Sequence, residues 1–193
     1  MKRAPLIVGG LVAAALLGAG VVVLQPWLLF SDVRVDDALP TAHSTQPTPG
    51  PDPATTDPAP ATPATSATPS PTSAPDPVPV ILASSSFISH EHATTGTATI
   101  VANPDGTRVL AFEALDTTNG PDVHVWLSAA DAVEGFDGWF LAGGADYVDL
   151  GVIKGNQGDQ VYDIPADVDL SLYRSVSLWC VQFGVSFGAA PLG

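Results

Sequence analysis

The sequence is poor in several residue types, and each scarcity excludes something. It has a single cysteine, Cys180, in 193 residues. No disulfide framework can form within one chain, so the fold has to rest on an apolar core. The only methionine is Met1 and no histidine follows Cys180, which removes the Cys, His and Met set of a blue-copper centre. There is no Cys-x-x-Cys-His run for covalent c-type haem. Gly-x-Ser-x-Gly, P-loop and dinucleotide glycine patterns are also missing, and enzyme activity is not expected. Basic residues are scarce: six Lys and Arg against 20 Asp and Glu, for a net charge of −14. From Ser84 onward, 14 acids stand against Arg108, Lys154 and Arg174 alone. Such a surface repels phosphate backbones, so nucleic acid is excluded as a partner. It also disfavours a charge-driven dock on anionic lipid, and it keeps the domain soluble.

The composition divides the chain into three parts. Leu6 to Leu24 is an uncharged run of Val, Leu, Ala and Gly, close to the ~20 residues needed to cross a bilayer's hydrocarbon core. Lys2 and Arg3 precede it, whereas Asp32, Asp36 and Asp37 outnumber Arg34 after it. Residues 1–30 are therefore expected to form a transmembrane helix with a cytoplasmic N-terminus, Trp27 and Phe30 lying at the outer interface. A cleaved signal peptide is the alternative, but the run is longer than the usual signal core and lacks a good Ala-x-Ala site. Residues 31–83 read as a disordered linker. Of the 19 prolines, 13 lie between Pro40 and Pro79, mixed with Thr, Ala, Ser and Asp. A chain of this kind favours polyproline II at ~3.1 Å per residue, a stalk reaching on the order of 120 Å, and it suits O-glycosylation.

Residues 84–193 carry the pattern of a folded domain. Phe87–Glu91 reads as an edge strand. Gly96–Ala114 reads as a β-hairpin about the turn Asn103-Pro104-Asp105-Gly106, which has Pro and Gly where a turn wants them. A strand over Val123–Ser128 follows Asn119-Gly120-Pro121-Asp122. After an irregular stretch at 129–145, Tyr147–Ile153, Gln160–Ile164 and Ser175–Phe187 complete the set, and Asp167–Tyr173 suits one helical turn. Short strands with regular turns predict an all-β fold, an antiparallel β-sandwich.

Few residues could carry chemistry. Strand alternation puts Val176, Leu178, Cys180 and Gln182 on one face and Trp179, Val181 and Phe183 on the other. Both faces are largely apolar, which predicts a central strand and a thiol whose pKa burial raises. His90 and His92, at i and i+2, would share a face, and His124 starts another strand; with Cys180 they form a candidate set for a metal ion or haem iron. Hydrogen-bonded structural histidines are the plainer reading. Asp146/Asp149 and Asp167/Asp169 are candidate calcium ligands, though acids are also common in turns.

Several runs together resemble a known family. They are Phe87-x-x-His90-Glu91-His92-x-x-x-Gly96-x-Ala98, then Thr118-Asn119-Gly120-Pro121-Asp122-Val123, then Leu150-Gly151-x-x-Lys154-Gly155-Asn156-x-Gly158-x-Gln160-x-Tyr162. Tyr173-x-Ser175-Val176-x-Leu178-Trp179-Cys180-x-x-Phe183-x-Val185-x-Phe187-Gly188 closes the series. They look like the electron-transfer DM-thirteen domain, which often accompanies DOMON modules and b-type cytochromes. The resemblance implies a β-sandwich with a redox role at Cys180, as a bare thiol or a prosthetic-group ligand. No DOMON module or cytochrome shares this chain, so an electron partner would be a separate protein. The competing reading is a non-catalytic surface module that binds a protein, glycan or metal ion. In either case the domain is expected outside the cytoplasm, on the cell membrane. The full chain should stay in the membrane fraction after alkaline carbonate washing, and protease added to intact cells should remove its C-terminal domain. Release by carbonate would refute the retained anchor.

Overall fold

The computed structural model describes residues 16, 18–20, 31–41 and 78–193. Most of the apolar run 6–24 lies outside the described residues, as does the linker segment 42–77. Among the described residues no helix is long and apolar enough to cross a membrane. What they form is mostly β: β1 (Arg34–Asp36), β2 (Val80–Ser86), β3 (Ile88–Ser89), β4 (Thr95–Ala102), β5 (Arg108–Asp116), β6 (Val123–Ser128), β7 (Tyr147–Val152), β8 (Gln157–Ile164), β9 (Ser175–Cys180) and β10 (Val185–Pro191). One sheet has the order β1-β8-β5-β4-β2 and the other β3-β10-β9-β6-β7. Every pairing is antiparallel except β1 with β8.

Alternation along the strands builds the core. Ile100, Leu110, Phe112, Tyr162 and Ile164 of the first sheet meet Val125, Leu127, Val176, Leu178 and Phe187 of the second. Burying each large apolar side chain contributes roughly 1.5–3 kcal/mol. Phe87 adds an edge-on contact to Phe112, with ring centroids 5.2 Å apart. The Asn103–Gly106 turn closes the β4–β5 hairpin, and Gly106 takes the left-handed backbone (φ +87°). The β-rich closing stretch Ser175–Phe187 divides between two strands, β9 and β10. Gly184 adopts φ +65° and donates its N–H to the Cys180 carbonyl at 2.8 Å, so the chain reverses over residues 181–184. Gln182 and Phe183 therefore lie on a turn. The irregular 129–145 stretch contains a 3-10 segment, Phe136–Gly144, and a second short one spans Leu170–Leu172.

The expected linker differs at both of its ends. Val80 to Ala83 belong to β2. Residues 31–37 form a strap along the opposite edge of the same sheet, with β1 parallel to β8. Asp37 accepts from Lys154 Nζ at 2.6 Å and from the Val161 N–H at 3.0 Å, and the Lys154 ammonium beside it lowers its pKa. Asn156, 1% exposed, accepts from the Val33 N–H at 2.7 Å and donates to Asp32 at 2.9 Å and to the Thr117 carbonyl at 2.8 Å. The backbones approach so closely that a Cβ on Gly155 would lie 2.3 Å from the Val33 oxygen, and one on Gly158 2.0 Å from that of Val35. Beyond the strap, Leu39 and Pro40 reach the outer face of the sheet, where they line a small cavity with Ile81, Val101 and Ala111. The two ends of the proline-rich segment thus meet on one face of the domain.

Gly158→Ala tests the strap. The substitution meets both the Val35 carbonyl and a left-handed backbone (φ +92°), so stability should fall by about 1–3 kcal/mol in urea unfolding. The Asp37 amide, which donates to the Asp159 carbonyl, should exchange rapidly while the β9–β10 amides stay protected. Unchanged Asp37 protection would refute the docking.

Candidate functional site

Cys180 ends β9, the middle strand of its sheet, between β10 and β6. It pairs with Val185 and Val123, faces the core, and is 0% exposed. Burial pushes its thiol pKa up; the amides of Phe183, Gln182 and Asp122 pull the other way, and the Asp122 charge adds to the rise. The proton is thus held on sulfur at neutral pH, as both apolar faces of the strand suggest.

The 181–184 turn carries Phe183 to the rim of an apolar cavity of about 260 Å³ at this end of the sandwich, lined also by Glu91, His92, Gly120, Pro121, Val185 and Phe187. Val185, the cross-strand neighbour of Cys180, forms part of its wall. Gly120 is required here, because a Cβ would sit 2.8 Å from both Phe187 and Val123.

The three candidate histidines are not gathered around the thiol. β3 ends at Ser89, so His90 and His92 do not follow strand alternation and do not share a face. His90 Nε2 donates to the Val133 carbonyl at 3.0 Å, which leaves Nδ1 as acceptor for the Ser186 hydroxyl at 2.9 Å. Ser186 alternates with the core residues Val185 and Phe187, so this ring lies on the outer face. His92 packs edge-on against Phe187, centroids 4.0 Å apart, and its Nε2 lies 2.5 Å from Glu91. Burial lowers the pKa of His90, opposed by the Val133 carbonyl, and that of His92, opposed by Glu91. His124 alternates with the core residues Val123 and Val125 and sits outside, between Asp149 (2.8 Å) and Asp122 (3.2 Å). Cys180 and His124 therefore occupy opposite faces of one sheet. Both nitrogens of His90 are engaged, and the cavity is smaller than drug-sized ligand pockets of roughly 300 Å³ or more. A haem or metal ion ligated by Cys180 together with these histidines does not fit this arrangement. Of the four candidate calcium acids, Asp149 and Asp169 are engaged as well. Asp149 also accepts from the Gly151 N–H, and Asp169 accepts from the Ser171 N–H and hydroxyl. Among the described residues, no three His, Cys, Asp or Glu are placed to hold a metal.

The outer face of this sheet carries an aromatic stack. Trp126 stacks on Tyr147 at 3.7 Å and 8°, and on Trp179 at 5.2 Å and 21°. The stack begins at the peptide neighbour of Cys180 and ends at Tyr147, which is 48% exposed. Gly143 packs onto the Trp179 ring, where a Cβ would lie 2.5 Å away. Outward-facing aromatics at Trp126 and Trp179 were the available signal, but their pairing needed the β6–β9 register.

A two-sheet sandwich with a sealed cysteine on its central strand defines the class of domain. The electron transfer DM13 family model matches residues 86–192, more than half of the chain, and the chain belongs to that family. No curated protein and no solved structure matches it.

The histidines make stability pH-dependent. Folding holds His90 and His92 below their ordinary value of 6.5, so as pH falls through 6.5 the unfolded chain binds more protons than the folded one. Stability should therefore decline from pH 7 to pH 5, and His90→Asn should flatten that slope whatever it does to absolute stability. An unchanged slope in urea midpoints would contradict the role of burial.

Proposed function

We propose that the chain is a membrane-anchored, extracytoplasmic electron-transfer module in which Cys180 acts as a bare thiol. Family membership carries this reading, and the position of Cys180 on the central strand supports it. Burial keeps the proton on sulfur, so one-electron oxidation by an oxidised partner metalloprotein yields a thiyl and one proton. Because the thiol is 0% exposed, that proton leaves to water through a local opening of the domain. Reduction returns the electron and the proton. The Trp179, Trp126 and Tyr147 stack offers oxidisable rings between the peptide neighbour of Cys180 and the surface. The partner in this reading is a redox metalloprotein that docks on the domain. The anchor is the apolar run 6–24, which places the domain outside the membrane.

A second reading keeps the domain as a non-catalytic surface module that binds a protein, glycan or metal ion. The complete burial of Cys180 favours it, because a sealed thiol is often only a small apolar core residue. Single-turnover electron exchange with a one-electron metalloprotein oxidant separates the two. The full chain should donate one electron per molecule and develop a sulfur-centred radical signal. Cys180→Ser, a near-isosteric change, should lose both while keeping the wild-type circular dichroism. Equal electron exchange by the Ser variant would overturn the thiol reading and leave the binding module.

A further inference from the structure

We infer that the end of the sandwich bearing the 181–184 turn rests on the surface of the bilayer, with Phe183 and Val181 in its interfacial layer. This rests on the anchor reading above and adds an orientation to it. The apolar run and the aromatics Trp27 and Phe30 lead directly into Ser31. Ser31 is where the described strap begins, and its carbonyl accepts from Asn119 Nδ2 at 3.1 Å. Val33 and Asp32 are tied to Asn156 one step further along. Asn119 is followed by Gly120 and Pro121, which line the cavity with Phe183. The chain therefore reaches the domain beside the 181–184 turn, and almost no length remains between the proposed anchor, residues 1–30, and this surface.

The same end is apolar where it faces outward. Phe183 is 52% and Val181 45% exposed, next to Pro121 and the open cavity. The turn is fixed by the Val181 N–H donating to the Asp122 carbonyl at 2.9 Å and by the Gly184 N–H donating to the Cys180 carbonyl. Exposed apolar side chains held on a rigid turn suit insertion at the headgroup and acyl boundary. The carboxylates of Glu91 and Asp122 flank them, so the occupant is a zwitterionic lipid surface rather than an anionic one. The opposite end, with the Asn103–Gly106 turn, is separated from it by the length of β5, nine residues or about 30 Å at ~3.4 Å per residue.

The test uses the full chain reconstituted in phosphatidylcholine vesicles. Phe183→Cys and, separately, Gly106→Cys receive a nitroxide label. The unsubstituted chain, whose Cys180 is sealed, is the labelling blank. Vesicle flotation reads the anchor, and relaxation by oxygen against a water-soluble nickel chelate reads label depth. The expected result is flotation of every variant, with the 183 label protected from nickel and relaxed by oxygen, and the 106 label in water. Flotation with both labels in water would overturn the orientation and leave the anchor intact. Failure to float would overturn the anchor reading and the orientation with it. Broadening between 183 labels that disappears on dilution with unlabelled chain would assign the patch to a second copy, against this inference.

Discussion

The buried side chain of Asn156 ties the strap and the β5–β6 connection to the start of β8. Its oxygen holds the strap at Val33, and its amide nitrogen holds both the strap at Asp32 and the β5–β6 connection at Thr117. Its backbone carbonyl accepts from the Thr117 N–H. A buried amide left without these partners would cost about 1–3 kcal/mol per lost bond, so the strap and the loop before β6 are set together. That loop in turn supplies Asn119, Gly120 and Pro121, which meet the incoming chain and the apolar turn.

On the proposed orientation, the proline-rich segment does not have to span the distance from the proposed anchor to the domain. It leaves the sheet at Pro40 and returns at Pro79, and Leu39, Pro40 and Ile81 line one small cavity. On that orientation the domain is held close to the bilayer, and a polyproline reach on the order of 120 Å sets no distance between the two. For an electron-transfer domain this matters, because the end proposed to face the lipid is also the end where Cys180 closes its strand. The aromatic stack opens on the outer face, leaving a second side available to a soluble or membrane-bound partner.

The strands were legible because short-range chemistry specifies them. Pro104 and Gly106 mark one turn, alternation marks β4, β5 and β9, and apolar residues on both faces of 176–180 announce a central strand and a buried thiol. The strap was not legible. Arg34-Val35-Asp36 has no apolar pattern, and its partner strand begins more than 100 residues away. Gly155 and Gly158 fall between the expected strands Tyr147–Ile153 and Gln160–Ile164, whereas their role is to let another backbone approach. The histidines misled for a related reason. Their i, i+2 spacing implies one face only while the chain stays extended, and β3 ends one residue before His90.

The central claim is that the domain sits at the bilayer and not at the tip of a stalk. It is tested most directly by the height of the Gly106 turn above the membrane, measured by energy transfer from a label there to acceptors in the lipid headgroups. A height of about 30–40 Å, from the strand rise, that does not change when residues 42–77 are shortened by half is the predicted result. A height near 100 Å, on the scale of the polyproline reach, that falls as the segment is shortened would contradict it.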